Sequence, residues 1–233
     1  MPPRVTLFNA VDIDGRAGWE LDDFPSLVRS YAQLFGLRTD AVILDGERVH
    51  RMGHHEQNPE MIKTAVPPVV PGPGNALAGH PRPLLVVLDN TGCNYNWRYL
   101  QQQPWFRHIL VICPTETSPA YLSYLKMRGV SYLLSSSGPM DLVKTLDTLH
   151  QGFNIQTLAA ECGGPVADGL LALGKVDAMK IALAPGALAS KCNTDLPGIP
   201  HNLYPFELSH CSIAGNEAML LHYRFRVAGR TRT

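Results

Sequence analysis

The sequence contains no apolar run near the roughly eighteen residues needed to cross a bilayer as a helix, which argues against a transmembrane segment. Its opening, MPPRVTLFNAVDIDG, goes straight into a strand-like pattern without the apolar stretch of a signal peptide. A cytoplasmic protein is therefore expected. Neither charge sign is in excess: twenty basic residues face twenty acidic ones. No global field draws in nucleic acid or an anionic membrane. The five cysteines, Cys93, Cys113, Cys162, Cys192 and Cys211, are scattered and never paired as Cys-x-x-Cys. That excludes a zinc knuckle or a disulfide framework and leaves buried or incidental thiols in a reducing compartment.

Several catalytic signatures are missing as well. No Gly-x-Ser-x-Gly surrounds Ser135, Ser136 and Ser137, so a hydrolase nucleophile is not expected there. His54-His55-Glu56 supplies the His-x-Glu half of a zinc-deaminase site, but no Pro-Cys-x-x-Cys completes it, and no metal is expected. A Gly-x-Gly-x-x-Gly dinucleotide fingerprint is also absent. The aromatic run NYNWRYL, with Arg98, has no basic patch beside it and reads as packing rather than as a nucleic-acid platform.

What is present is an alternation. Val5–Val11 reads as a strand closed by the Gly15 turn, and LDDFPSLVRSYAQLFG as a helix with Leu27, Tyr31, Leu34 and Phe35 at helical spacing. DAVILDG is a short buried strand, and the polar segment ERVHRMGHHEQNPE follows it. Residues 66–83 are too rich in proline and glycine for an element interior and form a long loop inside one domain. Beyond Pro83 come strands LLVVLD, HILVIC, VSYLL, NIQTLAAE and DAMKIALAP. Between them lie helices in WRYLQQQPWF, SPAYLSYLKMRG (stopping at Gly129), GPMDLVKTLDTLHQG (about Met140 to His150) and GPVADGLLALG. Strands alternating with short helices imply parallel pairing with both sheet faces covered. Two last strands around Ala214-Gly215-Asn216 add an antiparallel hairpin, and 227–233 forms a disordered tail. The fold class expected is α/β: a single domain over 1–233, mostly parallel, flanked by helices, with a C-terminal antiparallel hairpin.

In an open α/β sheet, ligands gather beyond the carboxyl ends of the strands. The strand ending at Glu161 delivers Gly163 and Gly164 there, followed at once by a helix N-terminus. Free N–H groups and the positive end of the helix dipole attract phosphate at such a place, and glycine lets it come close. The alternative is that the two glycines only shape a tight turn. Asp12 and Asp14, after the first strand, admit an acid–base or metal reading, although turn aspartates that accept backbone N–H bonds are commoner.

The stretch ECGGPVADGLLALGKVDAMKIALAP resembles the closing motif of the riboflavin-biosynthesis pyrimidine reductases. RVTLFNAVDIDGR, TDAVILDGERV, Asn58-Pro59-Glu60, RPLLVVLDNTG and AMLLHYRF resemble other family segments in the same order, covering Arg4 to about Phe225. The resemblance implies the dihydrofolate-reductase-like fold, a homodimer, and NADPH-dependent reduction of a ribosylamino-pyrimidine phosphate at its C1′ carbon. It places Ala10 along the nicotinamide, Asn90 in a cofactor position, and Gly163, Gly164, Pro165, Val166, Ala167, Asp168 and Gly169 around the pyrophosphate. Glu161 would face the substrate, as a catalytic and substrate-binding residue. Asn58 would bind substrate too, and Asp14 is a catalytic candidate because the family carries an aspartate at that turn.

There are departures. Asp12 stands where the family usually has serine, and Arg48 where it usually has threonine. Arg48 admits two readings, a contact to the 2′-phosphate of NADP or a solvated surface arginine. The family's substrate-phosphate arginines fall at Gly36 and near Lys63 or Thr64, and the loop HRMGHHEQ is longer than usual. The same traces suit a relative acting on another pterin-like or pyrimidine compound, or a non-catalytic nicotinamide-nucleotide-binding homologue.

Overall fold

The computed structural model describes residues 2–11, 38–53, 55–56, 82–135, 140–161, 165–183, 206–214 and 218–225. The helix read in LDDFPSLVRSYAQLFG, almost all of the 66–83 loop, the 227–233 tail, and Asp14, Asn58, Gly163 and Gly164 lie outside them.

The chain divides into two compact units, the first built mainly on Arg38–Leu158 and the second on Arg4–Leu21 and Ala159–Thr233. In the first unit, β2 (Ala41–Asp45), β3 (Leu84–Leu88), β4 (His108–Cys113) and β5 (Ser131–Leu134) run in the order β5-β4-β3-β2. Every neighbouring pair among them is parallel, with Ala41 opposite Leu84, Leu84 opposite His108 and Leu110 opposite Ser131. All five residues of β3 are buried, as a strand covered on both faces requires. Leu85, Val87, Ile109 and Val111 share one cluster with Trp97, Tyr121, Tyr124 and Leu125.

Four helices accompany these strands: α1 (Gly46–His50), α2 (Trp97–Gln101), α3 (Pro119–Met127) and α4 (Leu142–Phe153). Three of them start on a side-chain cap. Asp45 accepts from Glu47 N at 2.8 Å, Ser118 from Tyr121 N at 3.2 Å and Asp141 from Lys144 N at 3.0 Å. Helix α1 overlaps the start of the polar segment ERVHRMGHHEQNPE, for which the sequence suggested no element. Five residues are too few to display a 3.6-residue period, and the Asp45 cap supplies the start instead. Helix α4 runs past His150 to Phe153, where Asn154 closes it in the left-handed conformation at φ 53°. At the amino ends of the strands, Asp40 accepts from Gln156 N, Thr157 N and Thr157 Oγ1 at 2.8–2.9 Å, joining β2 to the first residues of β6 (Thr157–Glu161).

The second unit carries β1 (Arg4–Val11), the last three residues of β6, α5 (Pro165–Ala172), β7 (Ala178–Leu183), β8 (Phe206–Ala214) and β9 (Ala218–Phe225). Its strand order is β6-β1-β7-β9-β8; β1 is parallel to β7, and β9 is antiparallel to both β7 and β8. The expected C-terminal antiparallel hairpin is therefore present on a mostly parallel sheet. Asp177 fastens the start of this region: Val5 N donates to its carboxylate at 2.7 Å, its own N–H donates to Val5 O, and Phe225 N donates to its carbonyl. No helix among the described residues is long and apolar enough to cross a membrane.

Candidate functional site

In the first unit the carboxyl ends of β2 and β3 meet around one buried carboxylate, Asp89, which has no solvent exposure. Oδ1 accepts from Gly92 N at 2.9 Å and from Thr91 Oγ1 at 3.2 Å, while Oδ2 accepts from the Tyr121 hydroxyl at 2.5 Å. These bonds shape the turn that puts Asn90 on the surface just past β3. Gly92 sits at φ 62°, a conformation that disfavours any side chain, and a Cβ there would come within 3.1 Å of Thr117. Helix α1 starts so close to this turn that a Cβ on Gly46 would lie 2.8 Å from the Leu88 carbonyl oxygen and 2.9 Å from Asp89 Cα. Only glycine fits.

The electrostatics follow from this burial. Burial pushes the Cys113 thiol up to about 12, with the Asp89 charge adding to the effect, so the thiol stays protonated. Burial, then the Asp89 charge and its hydrogen bond, raises the Tyr121 phenol as well. Asp45 is raised by burial, against the opposing bond from Glu47 N. Arg48 lies on α1, not in a loop, and its Nε and Nη2 are withdrawn from solvent.

The His54-His55-Glu56 stretch is used structurally at both described positions. Glu56 Oε2 accepts from Tyr124 OH and Arg128 Nε, both at 2.7 Å, and Oε1 pairs with Arg128 Nη2 at 2.5 Å. His55 Nδ1 accepts from Tyr95 N at 3.4 Å, so Nε2 carries the proton and donates to His50 O at 2.5 Å. No group of three His, Cys, Asp or Glu able to hold a metal ion occurs among the described residues.

In the second unit Glu161 closes β6 and is 8% exposed, beside Ala159 and Ala160 on a wholly buried stretch. Only Cys162, Gly163 and Gly164 separate it from Pro165, the first residue of α5. Val166 and Ala167 are buried while Asp168, in the first turn, is exposed. Neighbouring strand β1 brings buried Asn9 opposite Ile181 and places Ala10 opposite Ala182, near the carboxyl ends of both strands.

The sequence-derived residues thus fall into two groups, Arg48 and Asn90 in the first unit, Ala10, Glu161 and Pro165–Gly169 in the second. Reasoning from sequence missed Asp89 and Tyr121. The available signal was an aspartate ending five consecutive apolar residues, a place where a carboxylate is buried and needs donors. Cavities lie at both ends of β4. One of about 40 Å³, room for a single water, is lined by Ile112, Leu134, Ser135 and Lys144. The other, of about 190 Å³, lies at the amino end beside Arg107, His108 and Val130.

No protein-family model matches the sequence, and neither does any curated relative. Solved structures do. A pyrimidine reductase-like protein of Corynebacterium diphtheriae superposes with a TM-score of 0.63 at 18% identity, over 97% of this chain and 92% of that one. The riboflavin biosynthesis reductase Rib7 of Saccharomyces cerevisiae gives 0.59 at 18% identity over 97% and 90%. RibD of Acinetobacter baumannii gives 0.61 at 20% identity, and there the match spans 97% of this chain but only 58% of the other. The shared α/β architecture, with its C-terminal antiparallel hairpin, is the fold of the pyrimidine reductases of riboflavin biosynthesis.

Proposed function

We propose that this chain is a cytoplasmic, NADPH-dependent reductase of a ribosylamino-pyrimidine phosphate, the reaction type of the riboflavin-pathway pyrimidine reductases. One observation carries the reading: β6 ends in the buried Glu161 and, after only three intervening residues, α5 begins, inside a chain that has the fold of those reductases.

The residues suit the cofactor. The first-turn N–H groups of α5, from Val166 to Asp168, have no intrahelical acceptor and point their dipoles at the helix start, where a pyrophosphate is stabilised. Gly163 and Gly164 precede them without Cβ atoms to keep phosphate oxygens away. Exposed Asp168 opposes that attraction weakly, because solvent screens it. When bound, NADPH supplies the hydride. The remaining work belongs to the chain: Glu161, held in a mostly buried position, fixes a hydroxyl or ring N–H of the substrate, Ala10 at the end of β1 lies along the nicotinamide, and Asn90 offers an exposed amide to the cofactor. Arg48, Asp14 and Asn58 complete the assignment, Arg48 toward the 2′-phosphate, Asp14 as a catalytic residue and Asn58 toward substrate.

The test is turnover. Purified protein, NADPH and the ribosylamino-pyrimidine phosphate should lose absorbance at the nicotinamide band. Glu161→Gln should lower kcat by at least about tenfold, the loss of roughly one hydrogen bond to a charged group. Oxidation of NADPH with a dihydropterin but not with the pyrimidine would replace the substrate assignment. Saturable NADPH binding without turnover of either compound would mark a non-catalytic homologue.

A further inference from the structure

Just before β4, Arg107 carries a hydrogen-bonding edge that the chain does not use. Its backbone is fixed, the N–H donating to Pro83 O at 3.0 Å. Its guanidinium is held loosely, by one bond from Nη1 to Arg82 O at 3.4 Å, long enough to be weak. Nε and Nη2 are withdrawn from solvent and meet no acceptor among the described residues. Arginine stays charged in a protein, so unpaired donors at such a place are costly. Burial lowers the Arg107 pKa, and the Asp40 charge opposes that shift. Asp40 nevertheless turns its Oδ2 to Gln156 N, Thr157 N and Thr157 Oγ1.

That edge has a preferred partner. The Nε–H and Nη2–H bonds of a guanidinium run parallel, spaced for two oxygens of a carboxylate or phosphate. The chain contains the completed form elsewhere. Arg128 uses the same two nitrogens on Glu56, Nε to Oε2 at 2.7 Å and Nη2 to Oε1 at 2.5 Å.

Arg107 also lines the cavity of about 190 Å³, together with Gln101, Gln103, His108 and Val130. The volume exceeds the roughly 150 Å³ that admits a benzene-sized molecule, and exposed Gln101, at the end of α2, connects it with solvent. None of the described residues lining it is acidic. Because the bond to Arg82 O is weak, the guanidinium can turn its unused edge into the cavity at little cost, a side-chain adjustment common on binding. The place is remote from Asp89 and Asn90. Strand β4, from His108 to Cys113, separates the two ends by about 17 Å.

We infer that this cavity is a binding site for a small oxyanion, a carboxylate or phosphate gripped side-on by Nε and Nη2 of Arg107. Nothing in the proposed reduction uses these residues, and the inference stands or falls apart from it.

The test is a magnetic resonance titration of the full chain with sodium phosphate and with sodium acetate, each against sodium chloride at matched ionic strength. Both should move the Arg107 Nε–H resonance and the amides of His108 and Val130. The shifts should saturate in about the millimolar range, which two charge-assisted hydrogen bonds support, and the tighter salt identifies the natural group. Arg107→Lys keeps the charge but loses the parallel edge, and should weaken binding at least about tenfold. Arg107→Gln should abolish saturation at these amides, whereas Arg98→Gln, at an exposed site on α2, should bind as the parent does. The unaltered chain decides the matter by itself should a variant fail to fold. Shifts no larger than those in chloride would mean that the cavity holds water alone. Phosphate that moves only the amides of Val166 to Asp168 would mean that it binds at the start of α5. Either result, or an Arg107→Gln protein that binds like the parent, would overturn the inference.

Discussion

Strands β3 and β8 show two ways of placing apolar residues. In β3 all five residues are buried and the strand lies between two parallel neighbours, its carboxyl end tied down by Asp89. In β8 leucine and isoleucine residues stand half to three-quarters exposed on a strand that, among the described residues, pairs only with β9. The first unit spends its apolar side chains on its own core and needs buried polar groups, with their donors supplied, to define where strands end. On the C-terminal hairpin of the second unit Leu208, Ile213 and Met219 stand exposed instead, so truncating them is expected to cost that unit little stability.

The sharpest way to break this comparison is a matched pair of truncations. Leu85→Ala, at zero exposure, should cost about 3 kcal/mol in denaturant unfolding. Leu208→Ala, at 51% exposure, should stay within about 0.5 kcal/mol. Equal losses would mean that Leu208 is packed and not exposed.

Tyr121→Phe comes next. It takes one donor from buried Asp89 and should cost about 1–2 kcal/mol of stability. It should also disturb Asn90 more than any residue of the second unit, which amide chemical shifts would report. A loss spread evenly over both units would blur the division drawn here.

A smaller effect is expected with pH. Burial, and then the Arg107 charge, lowers the pKa of His108, whose Nε2 meets Ser131 Oγ at 2.8 Å. The folded state therefore favours the neutral ring. Its contribution is complete above the unfolded value of about 6.5 and is lost as pH falls through the lowered folded value. Melting temperatures recorded from neutral to mildly acidic pH should fall, and less steeply for His108→Gln. An identical slope would remove His108 from the account.

Smallest of all, Asp168→Asn should tighten NADPH binding about two- to fivefold by removing a negative charge from the first turn of α5. A weaker complex would mean that the carboxylate itself contacts the cofactor.

The sequence made the strands legible because long apolar runs such as LLVVL and HILVIC, bounded by turn residues, have few other solutions in a covered sheet. It made the join between β6 and α5 legible for a related reason: Glu161, two glycines and a proline mark both the strand end and the helix start. Helix α1 was not legible, since five residues show no helical period and its start depends on the space that Gly46 leaves beside Leu88 and Asp89, contacts distant in sequence. The role of Asp89 was not legible either, because its donor Tyr121 lies 32 residues further along the chain.

The central claim is that the turn between β6 and α5 serves a nicotinamide dinucleotide phosphate. Fluorescence titration of the purified chain with NADPH, and with NADH alongside, tests it most directly. Saturable binding with a clear preference for NADPH, abolished by Gly164→Val, is the predicted result. Absence of saturable binding for either dinucleotide would contradict it, and would leave Gly163 and Gly164 as no more than a way of turning the chain from a strand into a helix.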